Sequence, residues 1–177
     1  MFIRTKKIKG NDYAYLVENT WTNSGSRQKA KGYLGRVYAI SPCKDETFLA
    51  KKEQDYLVTR KFSEILNDLI YFELQRHGFE KKGQVLENKD MSFDVKDMSI
   101  KKKGKPVVLK INQGFFCNQT VSTACSNYSG DMAYQLAERL TAAGIGIDQA
   151  MFVELVAKLK ADHNDKDIKE EFKDFYY

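Results

Sequence analysis

Two kinds of hydrophobic pattern divide the chain. Up to about residue 40, runs with aromatic and β-branched side chains are cut by Gly- and Asn-containing turns, the pattern of strands; beyond residue 50, stretches with the helical repeat appear. The first part predicts three strands. FIRTKKI runs to Lys9-Gly10-Asn11-Asp12, where the Gly-Asn pair suits a tight turn. DYAYLVENTW, rich in aromatic and β-branched residues, runs to Asn23-Ser24-Gly25-Ser26, and RQKAKGYLGRV follows. If Thr22 and Arg27 close the second turn, Tyr15 faces Leu34 and Val17 faces Gly32 on one side. Leu16, Glu18 and Thr20 then meet Tyr33, Lys31 and Lys29 on the other, and this second side is the basic one. A slip of one residue exchanges the two sides, and the first hairpin leaves the facing of Arg4 and Lys6 open.

After Pro42 the residues favour helix. Phe62, Ile65, Leu66, Leu69 and Ile70 make the buried stripe of an amphipathic helix spanning about 51–77 and ending near Gly78. Short strands are expected at 84–88, 91–100 and 106–112, the last two joined by Lys101-Lys102-Lys103-Gly104-Lys105. Helices follow over 120–126, over 131–143 with Gly144 as the stop, and over 148–161, the last burying Met151, Phe152, Leu155, Val156 and Leu159. The expected fold is α+β: an N-terminal three-stranded antiparallel β-meander, a long amphipathic helix, a short β-hairpin region and a C-terminal helical part. The divisions fall at 1–40, 41–117 and 118–161, with a charged, aromatic-ended tail at 162–177.

Charge sharpens the picture. Residues 1–40 hold eight of the 29 Lys and Arg but two of the 24 Asp and Glu, an excess of six; the remaining 21 basic and 22 acidic residues nearly cancel. So local an excess raises the potential toward polyanions. The chain has neither a membrane-length apolar run nor the apolar segment of a secretory signal, so no membrane association and a cytoplasmic location are expected. Cys43, Cys117 and Cys125 match no zinc spacing, and no metal or other cofactor is expected.

The catalytic candidates are weak. Glu73, Asp94 and Lys96 loosely suggest a divalent-metal nuclease, but DVK lacks a preceding acidic strand and VLKI has a lysine without its acidic neighbour. A helix-turn-helix over 118–144 would present Arg139 as the sole basic side chain of its second helix, which suits a packing hairpin better than a base reader. His77 suits the negative end of the long helix. Cys117 and Cys125 read as small core residues. Tyr33 and the Tyr13/Tyr15 pair could stack on bases, but tyrosines are common strand formers, and Tyr15 reads as core and Tyr33 as exposed.

The stretch MFIRTKKIKGNDYAYLVENTW through SRQKAKGYLGRV resembles the N-terminal segment of DDE-type insertion-sequence transposases, through Arg4, the strand from Tyr13 to Glu18, Arg27-Gln28-Lys29 and Tyr33 to Arg36. Nothing after Val37 resembles their ribonuclease-H-like catalytic core. The resemblance implies a module that faces nucleic acid and argues against transposition. The expected function is therefore non-catalytic binding of DNA, slightly preferred over structured or ribosomal RNA. Nucleic-acid contacts are expected from Arg4, Lys6, Arg27, Lys29, Lys31, Tyr33 and Arg36, with a second patch at Lys101, Lys102 and Lys103. Gly32 and Gly35 are expected to allow close approach. A protein-interaction adaptor working through the C-terminal helices and tail is the alternative.

Overall fold

The structure is a computed structural model describing residues 1–23, 25–53 and 55–173; for Lys51 and residues 164–173 the backbone alone is described. The fold is α+β. Strands β1 (Phe2–Ile8), β2 (Asn11–Thr22) and β3 (Gly25–Ala39) form the meander. A 3-10 turn (Phe48–Lys51) and the short α1 (Tyr56–Thr59) lead into α2 (Phe62–Arg76). Then come β4 (Glu80–Lys82), β5 (Val85–Asn88), β6 (Met91–Asp94), β7 (Ser99–Lys102), β8 (Lys105–Ile111) and β9 (Gly114–Phe116), followed by α3 (Asn118–Ala124), α4 (Met132–Ala143) and α5 (Gln149–Lys173). The strands make one sheet in the order β1-β2-β3-β8-β7-β6-β5-β4, with β9 also on β8. Every pairing is antiparallel except β3 with β8, where Arg36 to Ala39 run alongside Val107 to Lys110. No helix among the described residues is long and apolar enough to cross a membrane.

The core lies where the helices cover this sheet. Ile65, Leu66, Leu69 and Ile70 of α2 are at most 2% exposed and pack with Val107, Leu109 and Ile111 of β8, Leu136 and Leu140 of α4, and Met151 and Leu155 of α5. Each such side chain contributes about 1.5–3 kcal/mol by leaving water. A smaller apolar cluster, Ala14, Val108 and Cys117 with Ile3, Leu34, Val37 and Phe115, sits on the opposite side of the β2-β3-β8 region.

The helical stripe of α2 is the expected one, but its helix starts at Phe62 and not near residue 51. Lys61 is the N-cap, with its backbone N–H donating to Glu64 Oε2 at 3.0 Å, and the N–H of Phe62 donates to Asp162 Oδ2 at 2.7 Å. Asp162 belongs to α5, which continues through Lys173 and not merely to residue 161, so a carboxylate from the far end of the sequence offsets the positive end of α2. The aromatic end of the expected tail, Phe175-Tyr176-Tyr177, lies outside the described residues. Strand 91–100 is in fact two strands, and β4 and β9 were not anticipated; both are three residues long, too short for an alternation to show. Cys117 is buried as expected, but Cys125 is exposed because it caps α3 beyond its last buried turn.

The meander's register also differs from expectation. The first turn is Lys9-Gly10, both at positive φ, which matches the right-handed twist of the flanking strands, and Ile8 pairs with Asn11. The second hairpin closes between Thr22 and Gly25, two residues short of Arg27, with Thr22 Oγ1 donating to Gly25 O at 2.8 Å; Ser24 lies outside the described residues. Two bulges on β3 leave Lys31 and Leu34 without a partner in register, and each takes back one residue. Beyond them Ala14 pairs with Gly35 and Tyr13 with Arg36, the pairing that closure by Thr22 and Arg27 would have given throughout.

Candidate nucleic-acid interface

The register places the expected basic residues on two faces. Arg4 lies opposite Tyr15 and Lys6 opposite Tyr13 across the first hairpin; Tyr33 lies opposite Tyr15 and Arg36 opposite Tyr13 across the second. These six share one face. Tyr33, 56% exposed, has its ring 5.5 Å from that of Tyr15 and 6.3 Å from that of Tyr13, in tilted arrangements. Arg4 donates to Gln28 Oε1, and Arg36 donates to Asn11 Oδ1 at 2.5 Å while lying 5.0 Å over the ring of Tyr38. Burial, helped by the phenols of Tyr13, Tyr15 and Tyr38, pushes the Tyr33 hydroxyl above its ordinary range, so the ring stays neutral at working pH. Tyr15, expected in the core, is half-buried, because the helices do not extend over this part of the sheet.

Both carboxylates of residues 1–40, Asp12 and Glu18, alternate onto the other face of β2. There Lys31 Nζ lies 2.7 Å from Glu18 Oε2, holding that carboxyl below its usual range; Lys29 is directly opposite Glu18, and Arg27 opposite Thr20. Arg27, Lys29 and Lys31 thus belong to a mixed-charge face, separate from Arg4, Lys6, Tyr33 and Arg36. The Glu18–Lys31 contact was foreseen, but the assignment of Tyr33 to that face was not correct, because the bulge at Lys31 shifts the register between them.

The second expected patch is largely neutralised. Lys101 Nζ lies 3.6 Å from Asp97, and Lys102 Nζ lies 2.9 Å from Asp90 and 4.5 Å over the ring of Tyr38. Lys103 is exposed in the Lys103-Gly104 turn. Of the two glycines, Gly32 has open space around it, whereas Gly35 is buried. At φ +135°, a Cβ on Gly35 would stand 2.5 Å from Pro106 O, so this glycine admits β8 and not a phosphate.

The catalytic candidates have structural partners. Glu73, 1% exposed, accepts from Asn112 Nδ2 at 2.6 Å and from the N–H of Gly146 at 3.2 Å, with Arg76 and His77 also within ion-pair distance. It ties α2 to the β8–β9 turn and to the segment after α4. Asp94 Oδ1 accepts from the N–H of Lys96 at 2.9 Å. Among the described residues no group of three His, Cys, Asp or Glu could hold a metal ion. Arg139 is also engaged: it donates to Thr123 O, Ser126 O and Asn127 O at 3.1–3.4 Å and lies 4.2 Å over Tyr128, satisfying the carbonyls at the end of α3. In a cleft of about 480 Å³ beside α2, Lys52 is held by Asp68 and Arg76 by Glu73.

Sequence reasoning did not single out Trp21, 85% exposed near the turn of the β2–β3 hairpin, and did not place Tyr13 and Tyr15 on the face of Arg4 and Lys6. The alternation Tyr13, Tyr15, Val17 was the available signal, but attaching it to Arg4 and Lys6 required knowing that the first turn is Lys9-Gly10. No protein-family model, curated protein or solved structure matches the chain.

Proposed function

We propose that the protein is a non-catalytic nucleic-acid-binding protein whose N-terminal sheet lies against the phosphate backbone. The observation that carries this reading is a solvent-facing surface with Arg4, Lys6 and Arg36 set among Tyr13, Tyr15 and Tyr33 and no carboxylate from the meander. A basic surface that served only solubility would mix both signs, as the opposite face does with Glu18, Lys29 and Lys31. Arg4 and Arg36 bring guanidinium groups suited to phosphate, and their bonds to Gln28 and Asn11 fix them without neutralising them. The likeness of the first 37 residues to transposase N-termini supports the same class of ligand and favours DNA over structured or ribosomal RNA.

The test is fluorescence anisotropy of labelled DNA and RNA across a salt series. Binding is expected to be micromolar or tighter at low salt and to weaken steeply as salt rises. Replacing Arg4 and Lys6 together by Gln should flatten the dependence of log affinity on log salt by about 1.4–1.8, at roughly 0.7–0.9 per phosphate contact. The same change at Lys29 and Lys31 should flatten it less, since Glu18 already partners Lys31. No binding at low ionic strength, or an unchanged slope in the Arg4/Lys6 variant, overturns the proposal.

A further inference from the structure

Resting on that reading, we infer that the nucleic acid held on the Arg4–Lys6–Arg36 face is an unpaired strand whose bases stack on Tyr33 and its neighbours. A duplex backbone asks for cations and has no use for rings, because its base faces are already stacked on each other. Here three tyrosines occupy the middle of the face, and the most prominent, Tyr33, is 56% exposed with its ring tilted by 54° and 38° from those of Tyr15 and Tyr13. Its neighbours support the ring from the sides and do not cover it face to face. Any base has a π-face to lay on such a ring, so the preference would be for single strands and largely independent of sequence.

Shape leads to the same ligand. A major groove admits a helix or a two-stranded ribbon, whereas this surface is three strands wide where the tyrosines stand. It is a platform, which suits an extended strand laid across it. Arg4 and Lys6 stand two residues apart on the same side of β1, about 6.8 Å at the usual rise, a spacing that an extended backbone can follow from one phosphate to the next. Two of the polar side chains on this face, Asn11 and Gln28, are already bonded to Arg36 and Arg4, which leaves the amide of Asn19, across from Gln28, as the main one to read base edges.

The experiment compares a labelled mixed-sequence DNA strand, the same strand annealed to its complement, and the RNA strand of the same sequence, all at one salt concentration. Either unpaired strand should bind more tightly than the duplex. Tyr33→Leu should weaken unpaired-strand binding by about 5- to 150-fold and duplex binding by clearly less, and Tyr33→Phe, which keeps the ring, should retain unpaired-strand affinity. Since the side chain is largely exposed, both variants should keep the fold. Duplex binding equal to or tighter than that of both single strands in the parent protein, or an unpaired-strand affinity indifferent to Tyr33→Leu, overturns the inference while the salt-dependent phosphate contacts proposed above still stand. Binding to none of the three removes both.

Discussion

Asp68 shows how a single residue's surroundings become a measurable property. It sits on α2 and accepts from Tyr56 Oη at 2.6 Å and Lys52 Nζ at 3.0 Å, joining the segment before α2 to the helix. Burial alone would raise its carboxyl, but the bonds from Tyr56 and Lys52 outweigh that and hold it below the usual range. A carboxylate depressed in the folded state binds its proton more readily in the unfolded chain. Its stabilisation is therefore present above the unfolded value of about 3.9 and is lost as the pH falls through the lower folded value. Asp68→Asn should thus lose less stability than the parent between neutral pH and pH of about 3. With the Asp68 side chain 41% exposed, water screens the pair and the difference should stay below about 1 kcal/mol. Urea unfolding at the two pH values measures it, and identical losses would mean that Tyr56 and Lys52 do not depress this carboxyl.

At the level of elements, the join between the meander and the body depends on a short parallel pairing in which Arg36 to Ala39 run beside β8. Gly35 stands at the entrance to that pairing, its α-carbon close against the backbone of Pro106 and Val107 and its φ in the left-handed half of the map. Alanine there meets both penalties at once, a strained backbone and a Cβ placed 2.5 Å from a carbonyl oxygen that cannot swing away as a side chain would. Gly35→Ala should lower stability by about 2 kcal/mol or more and raise amide exchange over residues 36–39, whereas Gly32→Ala, with open space at its Cβ, should do neither. Equal effects at the two glycines would place the join elsewhere. The same region marks where sequence legibility ended. Long, strongly patterned elements such as the α2 stripe and the three N-terminal strands were readable because their periods persist over many residues. The bulges at Lys31 and Leu34 were not, because an extra residue on one strand leaves no local signature, yet it decides which face every later side chain occupies. Arg4, Lys6, Tyr33 and Arg36 could be picked out of the sequence one by one, while the face that unites them with Tyr13 and Tyr15 had to come from the pairing.

Across the whole molecule, the helices cover the sheet from β8 through β5 and leave the meander increasingly bare. β1 is a sheet edge whose Arg4, Lys6 and Lys7 discourage another strand from adding to it. Beyond the pairing of Phe2 with Val17 no third strand follows among the described residues, and Glu18 to Thr22 with Gly25 to Lys29 continue as a two-stranded ribbon whose side chains are mostly exposed. Trp21 stands near its end, 85% exposed, and is the single tryptophan in the chain. A ring left in water on a bare ribbon has no packing role, and it lies on the same face as Tyr13 and Tyr15 by the alternation of β2. A strand laid along that face from Lys6 toward the ribbon would therefore pass Tyr13, Tyr15 and Tyr33 before reaching the indole. The free protein should show the red-shifted emission of a solvated tryptophan, and titration with an unpaired oligonucleotide long enough to span the face should quench or blue-shift it with the same midpoint as the anisotropy change. Trp21→Ala should keep the fold and weaken binding of such an oligonucleotide by about 5-fold or more, while a fragment short enough to rest on Tyr33 alone should bind parent and variant alike. Emission that stays constant while anisotropy saturates would confine the interface to the three-stranded part of the sheet and leave the ribbon outside it.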